Sequence, residues 1–263
     1  RDDRIRAGGD AAADLGHLVL VQPEQRCSAE PIVQRNGLIL VAIAASAAVL
    51  TLACAALRAG AAGPSGKVAG TVTVTLKGAP KANAAGVVLY LVGFAEPAPA
   101  SKPQMVMEAK GFVPMVLPVT AGQTVEFPNR DTVYHNVFSA SATKPFDLGQ
   151  YKQGESKTRV FTAPGVVDVY CNIHPLMAAT ILVLPNRKWA VIGKDGKFTI
   201  DDVPPGKWTL YAYSRFADKP VKREVVVAAD ATVQMDLAID EVRTELPHLN
   251  KFGQPYSKDG SYK

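Results

Sequence analysis

The chemistry-bearing residues cluster in the run Val169-Tyr170-Cys171-Asn172-Ile173-His174-Pro175-Leu176-Met177. It holds a thiol, an imidazole and a thioether at the spacing C-x2-H-x2-M. A second imidazole, His135, stands upstream in Tyr134-His135-Asn136-Val137-Phe138-Ser139. One thiolate, two imidazoles and a thioether are the ligand set of a type 1 copper site, with His2Cys in a trigonal plane and a weak axial Met. A soft thiolate stabilises Cu(I) and donates strongly to Cu(II), and imidazole serves both. The weak thioether withholds the tetragonal field that Cu(II) prefers. One geometry then suits both oxidation states.

Each residue has a plainer reading when taken alone. Cys171 can be a small buried hydrophobe, His174 a loop residue and His135 a satisfied strand residue. Together they are harder to dismiss. From residue 62 onward the chain holds three His and one Cys, and the pattern takes that Cys and two of those His. Zinc takes the same donors; the Met in fourth place favours copper. Cys171, Met177 and His174 share one short loop, which Pro175 stiffens. His135 must come from another strand, so a rigid scaffold has to present it.

The rest of the chain supplies such a scaffold. Gly (21) and Pro (19) punctuate short Val/Thr/Tyr-rich runs, the texture of an all-β protein. Val68–Leu76, Gly86–Phe94, Phe112–Val119, Thr124–Phe127, Tyr134–Phe138, Thr158–Phe161, Val166–Cys171 and Thr180–Leu184 read as strands. Turn signals such as Thr120-Ala121-Gly122-Gln123 separate them. Short strands at this spacing predict a Greek-key β-sandwich. After Pro185 comes a second, smaller unit. It has a hairpin turn at Asp195-Gly196, strands at Phe198–Ile200, Trp208–Tyr213, Lys222–Val227 and Thr232–Leu237, and a polar tail at 241–263.

Leu38–Leu57 is an uncharged apolar run followed by Ala59-Gly60-Ala61. It reads as a secretory signal, or, uncleaved, as a membrane anchor. Either places the remainder outside the cytoplasm, in the periplasm. The expected division is therefore 1–61 leader, 62–184 first sandwich, 185–240 second module and 241–263 tail. Net charge is +5, with no Lys/Arg run dense enough for nucleic acid. With the leader removed, Cys171 is a lone thiol in an oxidising compartment, where a metal gives it a reason.

From about Lys67 to Leu184 the chain resembles a cupredoxin of the plastocyanin/amicyanin kind. The likeness is carried by His135, the Cys171–Met177 loop, Phe146-Asp147-Leu148-Gly149 and Phe161-Thr162-Ala163-Pro164-Gly165. The short loop has the amicyanin spacing. The resemblance implies one type 1 copper held strongly by His135, Cys171 and His174 and axially by Met177, with Asn136 locking the two ligand segments by hydrogen bonds near the thiolate. Lys194–Tyr213 resembles the carboxypeptidase regulatory-like sandwich. The two-part layout resembles proteins labelled methylamine-utilization proteins, a label that says nothing of substrate.

The function expected is single-electron transfer between transient redox-protein donors and acceptors, without enzymatic turnover. Pro145, Pro175 and Leu176 would form an apolar docking patch beside His174. Copper handling without turnover, and a cell-envelope binding module that merely retains a metal, are the competing readings. Met105, Met107 and Met115 are expected to pack in the core, and His248 to be an exposed tail residue. Glu126 and Asp131 read as surface charges, Tyr134 and Tyr170 as packing, and Trp189 and Trp208 as anchors of the second module.

Overall fold

The computed structural model describes residues 63–244 and 248–256. The leader, with Cys27, Cys54 and Leu38–Leu57, lies outside the described residues. Those from Pro64 on belong to one compact unit. Every regular element among them is a strand, so the molecule is all-β as expected.

The chain opens with β1 (Gly66–Leu76), β2 (Ala79–Lys81) and β3 (Val88–Val92). A hairpin follows, β4 (Val106–Glu108) and β5 (Gly111–Val113). Next come β6 (Val116–Thr120), β7 (Thr124–Pro128), β8 (His135–Ser139) and β9 (Phe146–Tyr151). Then β10 (Ser156–Val160), β11 (Gly165–Tyr170) and β12 (Ala178–Leu184) complete the middle of the chain. The last strands are β13 (Trp189–Val191), β14 (Lys197–Val203), β15 (Gly206–Tyr213), β16 (Val221–Val227), β17 (Thr232–Gln234) and β18 (Leu237–Glu241). Pro114 falls where one strand was expected from Phe112 to Val119, and the run divides there into β5 and β6.

The first sandwich packs the sheet β6-β12-β11-β8-β9 against β7 and β10, with β4 bridged onto β7. β6 lies parallel to β12 while β8 neighbours β11, the non-sequential order of a Greek key. Met105, Met107, Phe127, Val137, Val169 and Ile181 are among its core residues. In the second sandwich, the sheet β13-β3-β15-β16 faces a sheet built around β1. Val72, Leu89, Leu91, Phe198, Leu210 and Ile239 fill that interior.

A third apolar layer joins the two. Val88, Tyr90 and Val92 of β3 meet Leu182 and Leu184 of β12, Val116 and Tyr213. Side chains alternate along a strand, so Leu89 and Leu91 of β3 serve one layer and Val88, Tyr90 and Val92 the other. Burial on both faces explains why β3 is apolar throughout rather than alternating.

The expected boundary at 184/185 needs correction. β1 and β3, assigned above to the first sandwich, are inner strands of the second. β1 pairs with β14 antiparallel and with β17 and β18 in parallel, and β3 lies between β13 and β15. The first sandwich is thus inserted between β3 and β13. Alternation along Val68–Leu76 marks a half-buried strand but cannot name its partner, which here lies far along the chain. The Asp195-Gly196 turn is present. Gly196 has φ +75°, and a side chain there would meet the Val72 carbonyl.

Candidate metal centre

The loop between β7 and β8 is built by Asn129. Its Nδ2 donates to the carbonyls of Val133 (2.9 Å) and Tyr151 (3.1 Å). Its Oδ1 accepts from the Asp131 N–H at 2.9 Å. This side chain-to-backbone turn presents the Asp131 carboxylate. One oxygen accepts from the Ala109 N–H (2.7 Å); the other accepts from the Lys110 N–H (2.8 Å) and meets His135 Nε2 at 2.7 Å. Burial works against this carboxylate, but the N–H of Lys110, His135 and the N–H of Ala109 hold its pKa below the ordinary value. A carboxylate at Nε2 sets that nitrogen as the proton carrier. His135 Nδ1 is left with its lone pair facing inward.

His135 is fully buried and paired with Tyr151 across β8 and β9. Cys171 directly follows β11 and is buried too. Its N–H donates to the Met177 carbonyl at 3.0 Å, and the Met177 N–H donates to the His174 carbonyl at 3.0 Å. The loop is therefore a tight turn closed by its own backbone. It carries His174 Nδ1 to 3.6 Å from Cys171 Sγ and to 3.1 Å from His135 Nδ1. His135 Nδ1 is 3.7 Å from the same sulfur.

These three edges form a nearly regular triangle. A point equidistant from its corners lies about 2.0 Å from each, the bonding distance of nitrogen and close to that of sulfur at a transition-metal ion. The donor set and its spacing fit the ion that the sequence implies. Burial raises the Cys171 thiol pKa, with the N–H groups of Asn136, Ile173 and His174 opposing. A cation would have to displace that proton on binding. Burial also lowers the His174 pKa, with His135 and Lys110 adding to it and Asp131 opposing.

The structure brings His135, Cys171 and His174 together. It places Met177, buried, in the same apolar cluster as Cys171. Asn136 joins the two segments near the sulfur through its backbone N–H, while its side-chain Nδ2 donates to Asp147 Oδ1 at 2.7 Å. Asp131, read as a surface charge, belongs to the site. Glu126 stays at the surface, accepting from Gln104 and Ser156. Met105 and Met107 are core residues, whereas Met115 is half exposed.

Tyr170 packs against Phe138, but Tyr134 is exposed. His248 is not a free tail residue, since its ring stacks on Tyr170 at 4.1 Å. Pro145 does not sit beside the loop. The register pairs His135 with Tyr151 and Ser139 with Phe146, so Pro145 lies at the far end of the hairpin, roughly 14 Å along the strand. Sequence reasoning missed Asp131, Asp147, Lys251 and Tyr256. Asp131 carried a signal, four residues before His135 in the turn-rich Pro128-Asn129-Arg130-Asp131, and Asp147 stood in the quoted Phe146-Asp147-Leu148-Gly149 run; Lys251 and Tyr256 carried none.

No family model matches the chain, and no curated protein matches it. Solved structures similar to part of it include a purple cupredoxin from Nitrosopumilus maritimus. That likeness has 26% identity and a TM-score of 0.29, and covers 32% of this chain and 100% of the other. A reduced variant of amicyanin is similar at 23% identity and TM-score 0.31, over 36% of this chain and 98% of the other. A copper-containing nitrite reductase from Thermus scotoductus SA-01 is similar at 27% identity and TM-score 0.31, over 36% of this chain. The chain spans 25% of that reductase chain.

Proposed function

We propose that this chain is an exported, periplasmic cupredoxin that carries single electrons and turns over no substrate. It would hold one copper ion with His135, Cys171 and His174 as strong ligands and Met177 as the axial one. The observation that carries this reading is the triangle of two Nδ1 atoms and one Sγ with edges of 3.1–3.7 Å. When bound, copper supplies a Cu(II)/Cu(I) couple that accepts and returns one electron.

The chain's own residues set the conditions for that couple. Asp131 fixes the tautomer and direction of His135. The buried setting of His135, Cys171 and Met177 keeps water from the donors and limits their movement. His174 is only partly buried, and beside it Leu176 is 93% exposed. That pairing makes the loop the exit port and Leu176 with Pro175 an apolar contact. Transient redox-protein donors and acceptors would dock there over a small area. The leader supports export, cleaved or retained as an anchor. The layout that resembles proteins labelled methylamine-utilization proteins adds no substrate.

The test is a visible absorption spectrum of the copper-loaded protein. An intense thiolate-to-copper band is expected, and Cys171→Ser abolishes it. A colourless protein that holds only Cu(I) or Zn would replace electron transfer with metal handling.

A further inference from the structure

The chain that follows the second sandwich returns to the ligand loop. Tyr256 donates its hydroxyl to the Cys171 carbonyl at 3.0 Å. The Lys251 N–H donates to Oδ1 of buried Asn172, the residue after Cys171, at 2.9 Å. The Lys251 ammonium reaches Asp147 Oδ2 at 2.8 Å. The other oxygen of Asp147 accepts from Asn136 Nδ2, and Asn136 follows His135. Lys251 therefore touches the loop that carries Cys171 and, through Asp147, the strand that carries His135.

This tail segment is braced on its own account. Asn250 Oδ1 accepts from the N–H groups of Phe252 (2.9 Å) and Gln254 (3.0 Å). Its N–H donates to the Gln254 carbonyl at 2.8 Å. The His248 ring lies flat on Tyr170 and meets Tyr256 edge-on at 5.2 Å. A loosely trailing end would show none of this.

The other end of the loop is held from the second sandwich. Arg215, just past β15, is 7% exposed and donates Nη1 to the Ala178 carbonyl at 2.8 Å, one residue beyond Met177. Its Nε and Nη2 have no hydrogen-bond partner among the described residues. Burying a guanidinium is expensive, and here the nearby Asp168 carboxylate offsets part of that cost while Nη1 holds the carbonyl at the start of β12. Its neighbour Ser214 is fixed by Glu241 at 2.7 Å, which also takes Lys81 at 2.6 Å. Arg215 is thereby tied into the sheet around β1.

We propose that Tyr256, Lys251 and Arg215 are positioning residues. Contributed by the second sandwich and its tail, they clamp both ends of the Cys171–Ala178 segment, so the loop keeps its donor arrangement in the metal-free protein. The physical gain is preorganisation. Without the clamp, the loop would have to be ordered again each time a metal is taken up. The inference rests on reading 171–177 as the metal-binding loop, but its mechanical content can be measured without metal.

The experiment compares the full chain with its Tyr256→Phe, Lys251→Met, Lys251→Arg and Arg215→Lys variants. Tyr256→Phe keeps the ring against His248 and removes only the hydroxyl. In the metal-free protein, amide exchange at Cys171 and Met177 and alkylation of the Cys171 thiol are followed. Tyr256→Phe is expected to accelerate both roughly fivefold, the effect of one hydrogen bond, and Lys251→Met, which keeps the backbone bond to Asn172 and loses only the ammonium on Asp147, to accelerate both by less. Arg215→Lys should accelerate the Met177 amide, and Lys251→Arg should stay near the parent. Amides of β1 and β14 should not change.

In the copper-loaded protein, loss to a chelator quickens by the same factor and the visible band shifts. Unchanged loop exchange and alkylation in both Tyr256→Phe and Lys251→Met would overturn the clamp. So would equal acceleration throughout β1 and β14, which would mean general loosening. If the parent shows no copper band while loop exchange still responds, the electron-carrier reading falls and the clamp stands.

Discussion

Aspartates in the two sandwiches do different work. In the second, Asp236 and Asp240 lie at the surface. They accept from the hydroxyls of Thr71 (2.6 Å) and Thr75 (2.5 Å) across strands that run parallel to β1. Those hydrogen bonds hold both carboxylates below their ordinary pKa, and their effect ends at the sheet edge. In the first, Asp131 and Asp147 face His135 and Asn136 at the end of a packed core. One side chain thus staples an edge in one place and sets a donor's direction in the other. What decides is whether its partner is a hydroxyl on a neighbouring strand or a group aimed at the buried triangle.

Removing core volume from the second sandwich should separate stability from the metal site. Leu210 is fully buried there. Leu210→Ala should cost about 2–5 kcal/mol in denaturant unfolding while the copper band keeps its position. A moved band would show that the sandwiches do not divide these roles. Asp131→Asn should act the other way. Copper affinity, read by chelator competition, should fall roughly ten- to a hundredfold, with a much smaller effect on unfolding. An unchanged affinity would return Asp131 to the class of Asp236 and Asp240.

The smallest effect is expected in acid. Burial opposes the Asp147 charge, but Lys251, Asn136 and the Gly149 N–H together hold its pKa below 3.8. Its contribution is complete above 3.8 and is lost as pH falls through the lower folded value. Asp147→Asn should lack this step when unfolding is compared with the parent between about pH 5 and pH 2. Parallel curves would mean that Asp147 is not coupled to folding.

The candidate donors were legible because a thiol, imidazoles and a thioether at fixed spacing are rare together, and because all but one sit on one loop. Strand character was legible in the alternation of β1, β14 and β15. The assignment of β1 and β3 to a sandwich was not, since alternation reports a face and not a neighbour. Val88 and Leu89 read alike as apolar, yet serve different layers. Tyr256 and Lys251 were invisible for the same reason. A tyrosine and a lysine in a polar tail carry no periodic signal, and only folding brings them to Cys171 and Asn172.

The parallel pairing of β1 with β18 has a mechanical consequence. Val72 lies opposite Leu237 and Leu76 opposite Glu241. The two strands therefore point the same way. Tension applied between residue 66 and residue 241 would load their rungs together in shear rather than unzip them singly. The inserted sandwich leaves and rejoins the chain inside that closure. Tension between residues 66 and 241 would therefore meet β1 and β18 first, whereas a pull on the chain beyond 241 would load the Lys251 and Tyr256 bonds to the segment after β11.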